Sequence, residues 1–372
     1  MKELSHLSIV IGSLRMGGAE RAAVNLANEF SSRGIRTDVV MVNAEGEFMN
    51  DLSPSVRVVD LHAGRTRKAG NTFAKYLKSE NPQIIIAIQA HVQLMVMMSI
   101  HRHRLRVPVI LNEQSMFSVN VPVKGFRQLV FRLLARHYFP MAAAVTAVSS
   151  ASALDFTRCF PEMNGKVDVI YNPVITGINR FTEEPAPDHP FFRNKNIPVV
   201  ISAGRLTESK DFPTLLKAIA IVREKKEVNL IILGEGEMRE SLLQLSHDLH
   251  IQNAVSLQGF IPNPMLWMNY ADVFVLSSKY EGLPFVMVEA MAAGCSVIST
   301  DCPGGSSEVL ENGRYGTLVP VSAPETMADA LFQTLSNRTD KNLLQQRARE
   351  FSAVQVVNNY MDLIQKILPG NA

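Results

Sequence analysis

Two carboxylates and two cations carry the most telling spacing in the chain. Glu281 and Glu289 lie eight positions apart, astride the turn Glu281-Gly282-Leu283-Pro284 that joins an apolar strand, Val273–Leu276, to a helix stopped by Gly294. A carboxylate accepts hydrogen bonds from paired hydroxyls, so the two suit a ligand with two separate sets of hydroxyls. Arg205 and Lys210 lie five apart around another strand-to-helix turn. A helix amino terminus already favours anions there, and two cations beside it suit a diphosphate. Taken singly, a salt-bridged surface explains either feature. In order along one sheet edge, they describe a nucleoside diphosphate joined to something hydroxylated.

The elements that must hold these residues are short apolar strands, each followed by a loop with Gly and then a helix. Leu7–Ile11, Thr37–Val42, Val56–Leu61, Ile84–Ile88, Val107–Leu111, Ala144–Val148 and Val167–Asn172 read as strands of a first half. Pro198–Ala203, Asn229–Leu233, Val255–Gln258, Val273–Leu276 and Ser296–Thr300 read as strands of a second. Strands alternating with crossover helices predict parallel sheets, and ligands of such sheets bind at the carboxyl ends of strands. Residues 1–176 form an amino-terminal domain on this reading. The Pro-rich, charged stretch 177–196 is a linker, 197–352 a carboxyl-terminal domain, and 353–372 a last helix returning toward the first domain.

The first glycine loop, Gly12 through Gly18, fits neither common phosphate fingerprint. A P-loop requires Lys and Ser/Thr after its last Gly, and here Gly18 and Ala19 follow Gly17; a dinucleotide loop requires GxGxxG. A plain tight turn is one reading. The other is a pair of glycines that lets backbone amides approach an anion at a helix start.

With 372 residues, 47% apolar and 19% charged, the chain has the composition of a globular protein with room for two cores. No signal-peptide pattern opens it, and the apolar window Ile84–Ile100 is broken by Gln89, His91 and Gln93, which predicts no membrane span. Three cysteines without CxxC spacing are expected as packed, reduced thiols of a cytoplasmic protein. Charge divides unevenly: residues 1–180 hold 21 Lys/Arg against 13 Asp/Glu, the remainder 16 against 22. The first half therefore faces something anionic, with nucleic acid and a phospholipid surface as candidates. Phe126, Leu129, Val130, Leu133, Leu134 and His137 recur at helical spacing within the arginine-rich run His101–Phe139. Such a helix either packs this face on the core with a solvated basic back, or lies at an anionic membrane. Exposed Phe131 and Phe139 would favour the membrane.

The series GGAER (Gly17–Arg21), GRLTESKDF (Gly204–Phe212), GEGEMRESL (Gly234–Leu242) and EGLPFVMVE (Glu281–Glu289) resembles the signatures of retaining GT-B glycosyltransferases of family 4. The segment Asp301–Pro320 is similar to the family's closing segment, and the resemblance spans nearly the whole chain. It implies an α/β fold of two Rossmann-like domains facing across a cleft. The activity it implies is transfer of a sugar from a nucleoside-diphosphate sugar, UDP-linked, to a lipid-linked glycan or lipopolysaccharide-type acceptor. By the same resemblance, Glu281 lies near the donor sugar and Glu289 binds the ribose, while Arg205 and Lys210 hold the diphosphate. Gly17 and Gly18 approach the phosphates, and Gly234 belongs to the same donor side. The backbone of Phe260 and Ile261 reads the base, and the amides of Gly282, Leu283, Pro284 and Phe285 meet sugar and phosphates; Glu308 is a further nucleotide-side candidate. One departure is the stretch after the Val107–Leu111 strand. Many members carry His there, whereas this chain has Glu113, so Glu113 and His91 stand as acceptor-side candidates and the catalytic base is unassigned.

No Asp-x-Asp occurs, so the expectation is a metal-independent enzyme that needs no cofactor beyond its nucleotide-sugar co-substrate. His101-x-His103, in a run of arginines, reads as a solvated face rather than a metal site. Expected partners are the donor, a glycan or lipid-linked acceptor, and an anionic membrane surface at the basic first domain. The expected place is the cytoplasm, peripheral on the cytoplasmic face of an inner membrane. The alternatives are a same-fold sugar-nucleotide epimerase and a non-catalytic nucleotide-sugar-binding protein, the latter binding donor without turnover. Nucleic-acid binding ranks last, because no recognition module accompanies the basic stretches.

Overall fold

Seven apolar strands assemble first into one parallel sheet. They are β1 (His6–Ile11), β2 (Arg36–Met41), β3 (Arg57–Asp60), β4 (Ile84–Ile88), β5 (Val109–Glu113), β6 (Ala144–Ala147) and β7 (Val167–Val169), in the order β3-β2-β1-β4-β5-β6-β7. The helices α1 (Gly18–Ser32), α2 (Gly70–Glu80), α3 (Ala90–His103), α4 (Phe126–Tyr138) and α5 (Ser150–Cys159) connect them. Strands such as β4, buried at every position, read as unbroken apolar runs because helices cover both faces of a parallel sheet. The structure, a computed structural model, describes residues 4–15, 17–118, 125–176, 184–194 and 196–368.

The order reverses between β1 and β4, which makes their carboxyl ends the switch point of this sheet. The chain divides into two units, Met1–Thr176 with Ala353–Ala372 and Gly177–Ser352. Helix α14 (Ala353–Ile367) joins the first unit's core through Val356, Val357, Tyr360 and Ile364, beside Phe30 and Val24. The Tyr360 hydroxyl reaches the sheet, 3.0 Å from Thr146 Oγ1, and accepts from Asn112 Nδ2 at 2.9 Å.

The second unit repeats the pattern with six strands. These are β8 (Val199–Ala203), β9 (Asn229–Leu233), β10 (Val255–Gly259), β11 (Val273–Leu276), β12 (Ser296–Thr300) and β13 (Thr317–Val319), in the order β10-β9-β8-β11-β12-β13. Its switch point lies between β8 and β11. Around it stand α6 (Pro190–Arg193), α7 (Phe212–Arg223), α8 (Arg239–Asp248), α9 (Pro264–Tyr270), α10 (Phe285–Ala293), α11 (Ser306–Val309), α12 (Pro324–Ser336) and α13 (Lys341–Arg349).

Of the linker read over 177–196, residues 177–183 and Lys195 lie outside the described residues. The rest is attached to the second unit: His189 Nε2 lies 3.2 Å from Ser256 Oγ, Phe192 packs 5.8 Å from Trp267, and Tyr270 donates to Glu184 O. Among the described residues no helix is long and apolar enough to cross a membrane.

The amphipathic helix Phe126–Tyr138 does not pack its apolar stripe on the core. Phe131 and Ala135 face the core, and Phe139 just beyond is fully buried among Phe117, Phe156 and Phe160. The exposure of Phe131 and Phe139 that would have favoured the membrane is not found, since Phe117 and the pair Phe156 and Phe160, in and just after α5, hold the two rings. The stripe Phe126, Leu129, Val130 and Leu133 points outward instead.

Candidate functional site

In the second unit the loops leaving β8, β9 and β10 are stitched together at the carboxyl edge. Gly204 N donates to Leu233 O at 2.9 Å, Gly234 N to Gly259 O at 2.7 Å, and Leu206 N to Glu235 O at 2.8 Å. Gly234 has φ of 145°, and a Cβ there would lie 1.9 Å from Gly204 O, so only glycine allows these loops to touch.

The turn after β8 carries Arg205 and Lys210. Lys210 lies along Gly204, where an added Cβ would meet its Cε at 3.4 Å. Asp211, in the left-handed region, fixes the turn by accepting from Thr214 Oγ1 and Ser322 Oγ, each at 2.9 Å. Across the switch point, the loop after β11 brings Glu281 to Lys210, whose Nζ lies 2.5 Å from Glu281 Oε1. Ser278 Oγ donates to the same oxygen at 2.6 Å, and Ser277 Oγ closes on Lys210 O at 2.7 Å. The β12 loop braces the carboxylate from behind: Glu281 N donates to Pro303 O at 3.0 Å and Gly305 N to Gly282 O at 2.8 Å. The Arg205 side chain is exposed and, among the described residues, makes no ion pair.

Helix α10 begins beside this pair. Pro284 has no amide hydrogen and pre-sets the entry; the amides of Met287 and Val288 turn back to Pro284 O. The amides just before them, of Phe285 and Val286, belong to the set that a helix cannot satisfy internally. Glu289 sits half-buried on the same helix. Phe260 is exposed and Ile261 half-buried just past β10, beside Gly234. Glu308 lies on α11, which follows the β12 loop. Arg205, Lys210, Glu281 and the start of α10 are thus at one sheet edge.

In the first unit, the switch point gathers Gly12, Gly17, Glu20, Gln89 and His91. Gln89, between β4 and α3, has φ of 72°, unusual for a side chain of its size. Its Oε1 accepts from Gly12 N at 3.2 Å, and its Nε2 donates to Glu20 Oε1 at 2.6 Å. A Cβ on Gly17 would lie 2.2 Å from Glu20 Oε2, and one on Gly12 would lie 3.5 Å from His91 Nε2. The glycine at position 17 therefore makes room for a carboxylate of its own helix, and its φ of 175° is ordinary extended backbone. The sequence reading passed over Glu20 and Gln89; 69 residues separate the pair, and no spacing rule joins them. Burial lowers the His91 pKa, so its ring is neutral at pH 7.

Glu113 ends β5 as a buried side chain at 4% exposure, and among the described residues its Oε2 has no hydrogen-bond partner. Burial pushes its carboxyl up to about 8; a backbone hydrogen bond from Ser115 opposes the rise and Asp155 adds to it. Below the ordinary value of 4.5 both folded and unfolded chains hold the proton. Between there and about 8 only the unfolded chain gives it up, so stability falls as pH rises through that window. Glu113→Gln copies the protonated form and is expected to flatten this fall, gaining about 2–4 kcal/mol over the parent at high pH relative to pH 5. Urea unfolding at pH 5 and pH 8.5 reads it; parallel slopes in the two proteins would refute the shift.

Among the described residues no group of three or more His, Cys, Asp or Glu side chains is placed to hold a metal ion.

Comparison with known proteins adds names to this geometry. Residues 16–177 match the family model described as Glycosyltransferase Family 4, and residues 187–351 match Glycosyl transferases group 1. An N-acetylgalactosamine-N,N'-diacetylbacillosaminyl-diphospho-undecaprenol 4-alpha-N-acetylgalactosaminyltransferase of Campylobacter jejuni is 26% identical, covering 96% of this chain and 98% of its own. The lipopolysaccharide core biosynthesis glycosyltransferase LpsE of Rhizobium meliloti is 33% identical over 45% of this chain and 49% of its own. Among solved structures, Anabaena Alr3699/HepE in complex with UDP superposes with a TM-score of 0.79 at 20% identity, over 97% of this chain and 100% of that one. The lipopolysaccharide outer core galactosyltransferase WaaB, in its apo form, gives 0.75 at 19% identity, over 97% and 99%.

Proposed function

The chain belongs to the glycosyltransferases of the GT-B fold, and from that premise we propose a retaining transferase that moves a hexosyl or N-acetylhexosaminyl group from a UDP-sugar to a lipid-linked or lipopolysaccharide-type glycan. The observation that carries the reading is the Lys210–Glu281 pair at the β8/β11 switch point, beside the exposed Arg205. Arg205 and Lys210 would hold the donor diphosphate. Negative charge grows on it as the sugar carbon–oxygen bond breaks, and fixed cations favour that charge without rearranging. Glu281, aligned by Ser278 and Lys210, would accept from donor sugar hydroxyls. Glu289 takes the ribose, Gly17 and Gly18 the phosphates, and the backbone around Gly234, Phe260 and Ile261 the base side. The incoming hydroxyl attacks from the face the phosphate leaves and passes its proton to a departing phosphate oxygen, so no separate base is needed. The acceptor-type relatives of the preceding comparison support a lipid-linked glycan, and an anionic membrane at the cytoplasmic face is where the chain would meet it.

His91 and Glu113 remain acceptor-side proposals with unequal standing. The half-buried neutral ring of His91 can take a hydroxyl hydrogen bond, whereas Glu113 is closed off by burial. The test of the reading is a panel of UDP- and GDP-sugars incubated with the protein and followed for slow release of free nucleotide. A UDP-sugar should be turned over, with the same rate in excess EDTA as in Mg²⁺. Activity lost to EDTA and restored by Mg²⁺ would remove the metal-independent proposal; release from no donor would remove the enzymatic one.

A further inference from the structure

Helix α4 presents its apolar stripe away from the core that it rests on. Phe126 is 79% exposed, Leu129 55%, Val130 38% and Leu133 60%, while Phe131 and Ala135 pack inward. At roughly 100° of turn per residue, the four exposed side chains share one outward arc. Arg127 borders that arc on one side, and Arg132 and Arg136 border it on the other; all three are exposed. Met141, just past the helix, adds another 47% exposed apolar side chain. Leu129 and Leu133 also line a cavity of about 230 Å³ with Phe117, Phe160, Arg132 and Arg136. A soluble surface helix has the opposite polarity, and an exposed apolar patch of this kind marks something that covers it.

Charge selects the cover. Between Glu80 and Asp155 the sequence holds seven Lys/Arg and a single acid, Glu113, and that acid is buried. A second copy of the chain pairing α4 on α4 would set arginine against arginine with no counter-charge in the stretch. Anionic phospholipid supplies what is missing on both counts: acyl chains for the stripe and phosphates for the arginines, whose long stems let the guanidinium rise to the headgroups.

We propose that α4 lies in the plane of an anionic bilayer, with Phe126, Leu129, Val130 and Leu133 among the acyl chains and Arg127, Arg132 and Arg136 on the headgroup phosphates. This deepens the proposed function and rests on it only for why the enzyme meets a membrane; the contact itself requires no donor and no turnover.

The test is co-sedimentation of the full chain with vesicles of phosphatidylglycerol and phosphatidylcholine, against vesicles of phosphatidylcholine alone, at low and high salt. The parent should partition onto the anionic vesicles and lose much of that binding in high salt. Leu129→Gln with Leu133→Gln should weaken partitioning by roughly tenfold or more, and Arg132→Ser with Arg136→Ser should remove the preference for anionic lipid. Both pairs are exposed and outside the donor site, so the nucleotide-release rate in detergent-free buffer should stay at the parent value and certifies folding. Equal binding by parent and variants, or no binding to either vesicle, overturns the proposal while leaving the release assay to judge the transferase reading. Concentration-dependent dimerisation that the leucine variants abolish, without vesicle binding, would overturn it in favour of a self-interface.

Discussion

Lys210→Ala is expected to slow nucleotide release from the preferred donor by roughly 10²–10³-fold, with a much smaller change in donor affinity. Two effects combine. The departing diphosphate loses a cation, and Glu281 loses a partner held at 2.5 Å, leaving a largely enclosed carboxylate with Ser278 alone and repelling the charge that develops nearby. Glu281→Ala should also cost roughly two orders of magnitude, through the sugar rather than the phosphate. Because the two side chains touch, their effects should not add: the double variant is expected close to the slower single one. Single-turnover measurements on the two singles and the double decide this. Parent-like rates in either single variant contradict the assignment of these residues, and full additivity contradicts their coupling.

Arg347→Ala is the second large effect, this time on stability. The guanidinium is buried on α13, donating to Val309 O at 3.0 Å and Glu308 O at 2.8 Å, the carbonyls that end α11. It also meets Glu350 at 2.6 Å and Glu311 at 3.2 Å, and lies over the rings of Phe351 and Tyr315. Truncation strands two carbonyls and takes from Glu350 its cation, while the half-exposed Glu311 keeps Arg314 at 3.0 Å; the cost is about 2–4 kcal/mol, chiefly from the carbonyls. Lysine should restore only part of this, since one ammonium cannot reach both carbonyls in the fork that arginine presents. The urea midpoint of the Gly177–Ser352 unit is the reading; a loss below about 1 kcal/mol, the scale of an exposed ion pair, would mean that the network is ornamental. A smaller, separate fall in donor turnover is expected, because α11 carries Glu308 and follows the loop that braces Glu281.

How far the sequence discloses these features depends on the range of the interaction. Runs such as Ile84–Ile88 and Val273–Leu276 fix buried parallel strands locally, because burial on both faces leaves no alternation to misread. Strand ends are less legible: Val56–Leu61 contracts to Arg57–Asp60, and Val167–Asn172 to Val167–Val169, since pairing with a neighbour, not hydropathy, decides where a ladder stops. The three-residue β13 gave no signal at all. Helix α4 shows the limit of periodicity. The spacing identifies an apolar face, but nothing in it says whether that face looks in or out; Phe117, Phe156 and Phe160 settle this by claiming Phe131 and Phe139. In the candidate site, Arg205, Lys210, Glu281 and Glu289 are visible as motif residues. Their partners are not: Lys210 is 71 residues from Glu281, and Glu20 is 69 from Gln89. Only the folding of the sheets, with a switch point in each, brings such pairs together.

The attachment of α14 to the first unit has a consequence for the order in which the protein is made. Domains ordinarily fold one after another as the chain leaves the ribosome, the amino-terminal one first. Here the core that surrounds Phe30 and Val24 is completed by Val356, Tyr360 and Ile364, which emerge after the whole of the second unit. The first unit must therefore wait with part of its interior open to water until residues 353–367 arrive, while the second can close ahead of it. A stalled or prematurely released chain would display that unfinished interior to chaperones and proteases, and translation speed late in the message becomes a determinant of how much of the enzyme's first half survives.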